Sequence, residues 1–227
     1  ADAKMKMYNL DGSEGKMCGN GIRCVGKFLY DHGMVDINEK DEITIETLSG
    51  IKKLKAYTSG GKVNRLRVDM GKAILEPKEI PVVLDGDKVV DRPVEIAGKS
   101  YNITCVSMGN PHCVVFMDDI DNLDIETVGP EFENDKLFPE RVNTEFVTVL
   151  DDHTIKMRVW ERGSGETWAC GTGACAVAVA ACENGFCKKG EDIKIKLKGG
   201  DLIINYTDET VYMTGNAEKV FEGEVEV

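Results

Sequence analysis

Cys170-Gly171-Thr172-Gly173, led by Lys156-Met157-Arg158-Val159-Trp160-Glu161, repeats an earlier stretch of the same chain: Cys18-Gly19-Asn20-Gly21, led by Lys4-Met5-Lys6-Met7-Tyr8-Asn9. The two turns lie 152 positions apart in one ungapped register. Glu14 and Glu166 each stand four residues before their cysteine, and Gly33 and Gly185 each follow it by fifteen. Each span reads as strand, turn, cysteine, helix and glycine stop, because an apolar run precedes the turn and a glycine closes the helical pattern. Two copies imply two pseudo-symmetric domains of α+β class, with two half-sites facing each other across a cleft and one thiol on each side.

Working outward, short β-rich segments dominate. Met5–Asn9, Ile43–Leu48, Ile51–Tyr57, Arg65–Met70, Val94–Ile96, Tyr101–Val106 and Cys113–Phe116 read as strands. So do Thr144–Leu150, Thr154–Trp160, Ile193–Leu197, Leu202–Tyr206, Thr210–Thr214 and Phe221–Val225. Helices are expected at Asn20–Asp31 and Thr172–Asn184, and a third at Ile125–Asn134, limited by Pro130. The second helix is rich in alanine and smooth enough to be enclosed by strands on all sides. The repeat ends near Gly71 in the first copy and near Gly215 in the second, which places a first domain at residues 1–71 and a second at 72–216. Lys72–Ala97, with three prolines, reads as the connection. Gly109-Asn110-Pro111-His112 stands about 60 residues before Cys170, whereas 17 residues precede Cys18. A symmetric first domain would need a longer lead-in, so the expectation is an N-terminally truncated first domain.

The chain has 227 residues, 42% hydrophobic, and a net charge of −12. That charge argues against nucleic acid and anionic membranes as partners. With no apolar run of membrane-spanning length and no visible signal peptide, the expectation is a cytoplasmic protein. The eight cysteines lack paired Cys-x-x-Cys spacing and only three histidines accompany them, so no metal site is expected. Most of the cysteines, Cys24 and Cys175 among them, read as packing residues.

The exceptions are Cys18 and Cys170. A thiol is a poor base and a thiolate a good one, and the start of a helix favours the anion. Helix-start N–H groups can also hold a carboxylate. A substrate carboxylate held between two such starts would put its α-carbon between two sulfurs, one removing a proton and the other delivering one to the opposite face. Asn9 and Glu161 occupy equivalent positions at the ends of the lead-in strands. Arg162 offers a planar fork for a second carboxylate. Asn110, His112 and Asn143 are further polar candidates; His32 and His153 read as structural.

The segments YNLDGSEGKMCGNGIRC, SMGNPHCVV, FPERVNTEF, WERGSGETWACGTGACA and YMTGNAE together resemble diaminopimelate epimerase, from end to end. The resemblance implies a PLP-independent isomerase of lysine and peptidoglycan-precursor biosynthesis. It would convert LL-2,6-diaminopimelate to the meso form with no cofactor and no metal. It implies that Cys18 and Cys170 are the acid/base pair. Backbone at Gly19, Asn20, Gly171 and Thr172 would hold the reacting carboxylate. Asn9, Asn110, Asn143 and Arg162 would bind the distal end, and Glu161 and His112 the amino group at the reacting centre. The implied fold is two domains, each a β-barrel-like sheet around a central helix, with residues 217–227 returning to the first. A homodimer is compatible with the family, as is a complementary N-terminal segment from another chain. The family's N-terminal strand is absent here, which leaves an inactive fragment as one alternative. Another cofactor-independent amino-acid racemase, a non-catalytic binding protein and a thiol redox protein are the others.

Overall fold

A computed structural model describes residues 1–8, 12, 14–15, 17–37 and 42–224. The chain divides into two compact units, Ala1–Val68 together with Thr214–Val227, and Asp69–Met213. The class is α+β, and no helix among the described residues is long and apolar enough to cross a membrane.

The first unit holds β1 (Ala3–Lys4), α1 (Gly19–Asp31), β2 (Ile43–Thr47), β3 (Gly50–Ser59) and β4 (Lys62–Asp69). The strands run in the order β1-β2-β3-β4, with β1 parallel to β2 and antiparallel pairing thereafter. Ile43, Ile45 and Thr47 alternate inward on β2, the period that buries one strand face. Helix α1 lays Ile22, Gly26 and Leu29 against this sheet. A Cβ on Gly26 would come within 2.7 Å of Leu66 and 2.8 Å of Leu54, so the helix sits as close as a glycine permits.

The second unit adds β5 (Arg92–Ile96), β6 (Lys99–Ser107), β7 (Pro111–Phe116), α2 (Ile125–Glu133), β8 (Asn143–Asp151) and β9 (Thr154–Glu161). It continues with β10 (Gly165–Thr167), α3 (Gly171–Glu183), β11 (Asp192–Leu197), β12 (Gly200–Tyr206) and β13 (Val211–Asn216), within which the chain passes back to the first unit. The sheet runs β12-β11-β9-β8-β7-β6-β5, with β10 on β9. Pairing is parallel at β7–β8 and β9–β11. Helix α3 touches β6, β7, β8, β11 and β12. Alanine makes this possible: Ala174, Ala176, Ala178, Ala180 and Ala181 are all fully buried, and Cys175, Val177 and Val179, equally buried, complete the circuit of the helix. The sheet wraps the helix as an open path, not as a closed barrel. Helix α2 packs against β8, β9 and β10. Its Gly129 faces the Trp160 ring, where a Cβ would sit 2.3 Å from the indole, and Trp160 Nε1 donates to Glu133 Oε2 at 2.7 Å.

Four sequence expectations need correction. Among the described residues, Met5–Tyr8 do not form the expected strand: β1 stops at Lys4 and Tyr8 makes an isolated bridge to Glu14, while Asn9 lies outside the described residues. Residues 221–224 of the expected last strand have no regular structure, and Val225 lies outside the described residues. Pro130 sits inside α2 without ending it. In so short a helix its missing N–H forfeits one intrahelical bond, and the Trp160 packing of Gly129 holds the turn. Cys24 is exposed on α1, not packed.

Candidate active site

Both cysteines are helix N-caps. Cys18 has φ −128° and ψ 117°, and its Sγ accepts from Gly21 N at 3.3 Å. Cys170 has φ −125° and ψ 111°, and its Sγ accepts from Gly173 N at 3.3 Å. Extended dihedrals at the cap and a side-chain acceptor for the N3 N–H define a capping residue, here a sulfur in the place usually taken by oxygen. The cap carbonyls take Ile22 N and Ala174 N, both at 2.9 Å. A helix start leaves its first N–H groups outside the helical ladder. Those of Gly19 and Asn20, and of Gly171 and Thr172, follow the cysteines directly and remain without an acceptor among the described residues.

The match extends to both ends of the repeat. The Tyr8–Glu14 bridge is antiparallel, and Gly15 N donates to Met7 O at 2.9 Å. Glu166 pairs with Trp160 in the same register on β9 and β10. At the far end Gly33 (φ 66°) and Gly185 (φ 78°) follow the helices. Met34 N reaches back to Leu29 O at 2.8 Å, and Phe186 N to Ala181 O at 2.9 Å, the same C-terminal closure twice.

Within the second unit the remaining candidates form one connected group. His112 is fully buried, with Nδ1 2.7 Å from Glu145 Oε1 and Nε2 3.1 Å from Asn110 Oδ1. Asn110 Nδ2 donates to Thr172 Oγ1 at 3.4 Å, and Thr172 Oγ1 lies 3.5 Å from Cys170 Sγ. Asn143 Nδ2 donates to Pro111 O at 3.1 Å, and its Oδ1 accepts from Arg162 N at 3.0 Å, which joins the ends of β7 and β8 to the turn after β9. The Arg162 guanidinium donates to Glu140 O at 2.9 Å. Glu161 accepts from Thr167 Oγ1. In the first unit, Asn20 Oδ1 accepts from Arg23, whose guanidinium also holds Gly19 O and Asn216 O.

Burial pushes the Cys170 thiol well above its ordinary range, and the Glu161 carboxylate pushes it further, as Glu145 would only if ionised, against the lowering pull of Thr172 and the Gly173 N–H. Helix-start stabilisation of a resting thiolate, expected from sequence, is outweighed at Cys170. Glu145 was not singled out from sequence. Its signal is the lone carboxylate in the β-rich run Thr144–Leu150, where every other side chain is apolar or a threonine. Glu166, although placed alike in both repeats, is an ion-pair residue: Arg158 holds it at 2.7 Å and 3.2 Å, and Lys198 at 2.7 Å.

The family model for diaminopimelate epimerase matches residues 1–76 and 104–220. The diaminopimelate epimerase of Agathobacter rectalis is 52% identical over all of this chain and 81% of its own length. That of Acetivibrio thermocellus is 53% identical over all of this chain and 80% of its own length. Among solved structures, a probable proline racemase from Agrobacterium radiobacter shares the fold, with a TM-score of 0.75 at 17% identity, covering all of this chain and 72% of its own. The matched family model and relatives of this identity place the cysteine-capped helices in a known lineage: the chain belongs to the diaminopimelate epimerase family.

Proposed function

We propose that the chain is a cofactor-independent isomerase that converts LL-2,6-diaminopimelate to the meso form, in the route to lysine and peptidoglycan precursors, with Cys18 and Cys170 as its acid/base pair. The observation that carries this reading is the duplicated cap: two cysteines with the same dihedrals and the same N–H···S bond, in a member of this family.

The chemistry follows from the groups each cap presents. The substrate carboxylate takes the N–H groups of Gly19, Asn20, Gly171 and Thr172. One sulfur removes the α-proton as a thiolate, and the other delivers its own proton to the opposite face. The pair therefore ends the turnover with its protonation states exchanged and the stereocentre inverted. Backbone donors stabilise the charge that builds on the carboxylate as the C–H bond breaks, a contribution as important as the base. Cys170, whose proton is held by burial and by the nearby Glu161 carboxylate, enters as the acid for one stereoisomer. Glu161 faces the ammonium of the reacting centre. Asn110, Asn143 and Arg162, with Asn9, recognise the distal amino-acid end, which gives a substrate with two charged ends its advantage over a simple amino acid.

The test is deuterium incorporation at the α-carbon of diaminopimelate, followed by NMR in D₂O with reductant. Exchange with loss of the LL isomer is the expected result. Exchange confined to proline or another simple amino acid would overturn the substrate assignment.

A further inference from the structure

Glu145 enters the second unit on β8 with no exposure to solvent. One carboxyl oxygen meets His112 Nδ1 at 2.7 Å, and the other, Oε2, finds no partner among the described residues. Its place is set by helix α3: a Cβ on Gly173 would lie 2.5 Å from Glu145 Oε1 and 3.2 Å from Cys170 Sγ. The carboxyl is therefore packed against the first turn of α3, beside the cap sulfur.

Proton positions follow from the donors and acceptors. Asn110 Oδ1 can only accept, so His112 Nε2, 3.1 Å away, carries a hydrogen. One more proton lies on the Oε1–Nδ1 contact, and the Glu145–His112 pair is uncharged overall whichever atom holds it. A buried carboxylate with one oxygen unpartnered is costly, which favours the proton on Glu145. Burial also holds the Glu145 carboxyl above the ordinary range, against the lowering pull of His112. The donors then run one way. Glu145 donates to Nδ1, Nε2 to Asn110 Oδ1, and Asn110 Nδ2 to Thr172 Oγ1 at 3.4 Å. This leaves the Thr172 hydroxyl hydrogen for Cys170 Sγ at 3.5 Å.

We propose that Glu145 is a positioning residue for the Cys170 thiolate, fixing His112 and, through Asn110 and Thr172, aiming a hydroxyl donor at the sulfur. The proposal rests on the epimerase reading for its role in turnover. No proton passes along the chain, because the amide of Asn110 does not relay one; the hydrogen bonds polarise and order one another. It also gives His112 a positioning role, since both of its nitrogens are engaged and its ring is buried.

The experiment is alkylation of the full chain by iodoacetamide at fixed pH. The Cys170 peptide is quantified by mass spectrometry against the Cys18 peptide of the same molecule. The thiolate is the reacting form, so the rate reports its population. Glu145→Leu and Thr172→Val should each slow Cys170 about tenfold, and the double variant should be no slower than either alone, as expected for links in one chain. Glu145→Gln, whose amide N–H can donate to Nδ1 as the protonated carboxyl does, should restore the rate to within about threefold of the parent. A faster Cys170 in Glu145→Leu would show a charged, repelling carboxylate and overturn the proposal. So would a Glu145→Gln as slow as Glu145→Leu, or additive effects in the double variant. If thermal unfolding shows that Glu145→Leu does not fold, Glu145→Gln and Thr172→Val decide by the same criteria. Turnover supplies the second readout: Glu145→Leu should lower kcat with KM for diaminopimelate little changed, and Glu145→Gln should recover kcat. Because alkylation needs no substrate, its pattern can hold while diaminopimelate fails to turn over. That result would overturn the substrate reading and leave the positioning chain standing.

Discussion

Cys18 and Cys170 accept the same N–H at the same 3.3 Å and differ by a few degrees in φ and ψ, yet they stand in unlike surroundings. Helix α1 buries one face and leaves Phe28 half exposed, and Cys18 is only partly covered. Helix α3 is enclosed, Cys170 is 6% exposed, and a carboxyl-imidazole pair lies behind it. The cap is a local structure that four residues can write twice. The cost of charging its sulfur depends on what the rest of the unit packs around it.

The largest expected effect removes either sulfur. Cys18→Ala and Cys170→Ala should each lower diaminopimelate epimerisation by about 10²–10⁴-fold, the usual contribution of a positioned acid or base. A variant retaining near-parent turnover in the α-proton exchange assay would break the equivalence of the two caps.

Next comes the glycine at the third helical position of each cap. Gly173→Ala drives a methyl into the buried Glu145 carboxyl and should cost about 1–3 kcal/mol, as overpacking does. For a chain of this size that is a fall of a few degrees in Tm for each kcal/mol. Gly21→Ala meets the end of the Met5 side chain at 3.0 Å and Cys18 at ordinary contact distance, and the helix propensity of alanine offsets the contact. Differential scanning fluorimetry should show Gly173→Ala clearly below Gly21→Ala; equal melting would mean that α3 is no more tightly enclosed at its start than α1.

A smaller effect follows from Glu161. Replacing it with Gln removes a carboxylate that raises the Cys170 pKa, so iodoacetamide should label Cys170 a few-fold faster at neutral pH. No change would mean that burial alone sets the thiol.

The smallest is a pH effect on stability. Native Cys170 holds its proton more tightly than the unfolded thiol, whose pKa is about 8.5, so its contribution is complete below that pH and is lost as pH rises toward the native value. Melting temperatures should decline above that range, and Cys170→Ala should flatten the decline. An equally steep fall in the variant would assign it to other buried groups, such as Cys113.

Much of this was legible in the residues. The ungapped repeat marked both caps, both helices and both glycine stops, because capping, helix pattern and C-terminal closure involve residues within a few positions of one another. Each helix begins one residue before its expected start, at the cysteine's neighbour. The lead-in was less legible. Thr154–Glu161 becomes a strand because β8 and β11 flank it, while Met5–Met7 in the same register does not. Identical patterning therefore needs a neighbouring strand before it becomes a ladder.

By itself, then, the sequence determined the two cysteine caps, the alanine helix that strands could enclose, and the resemblance carried by both. Those features rest on contacts within one or two helical turns. The tertiary structure alone decided that Glu145 stands behind Cys170, that His112 is engaged at both nitrogens, and that the Cys170 thiol is held protonated. Glu145 and His112 are 33 positions apart, and His112 lies farther still from the cap. They meet only because β7 and β8 pair in parallel and bring the two side chains together under the first turn of α3. Desolvation of Cys170 and the hydrogen-bonded chain behind it depend on that assembly, and neighbouring residues along the chain do not encode them.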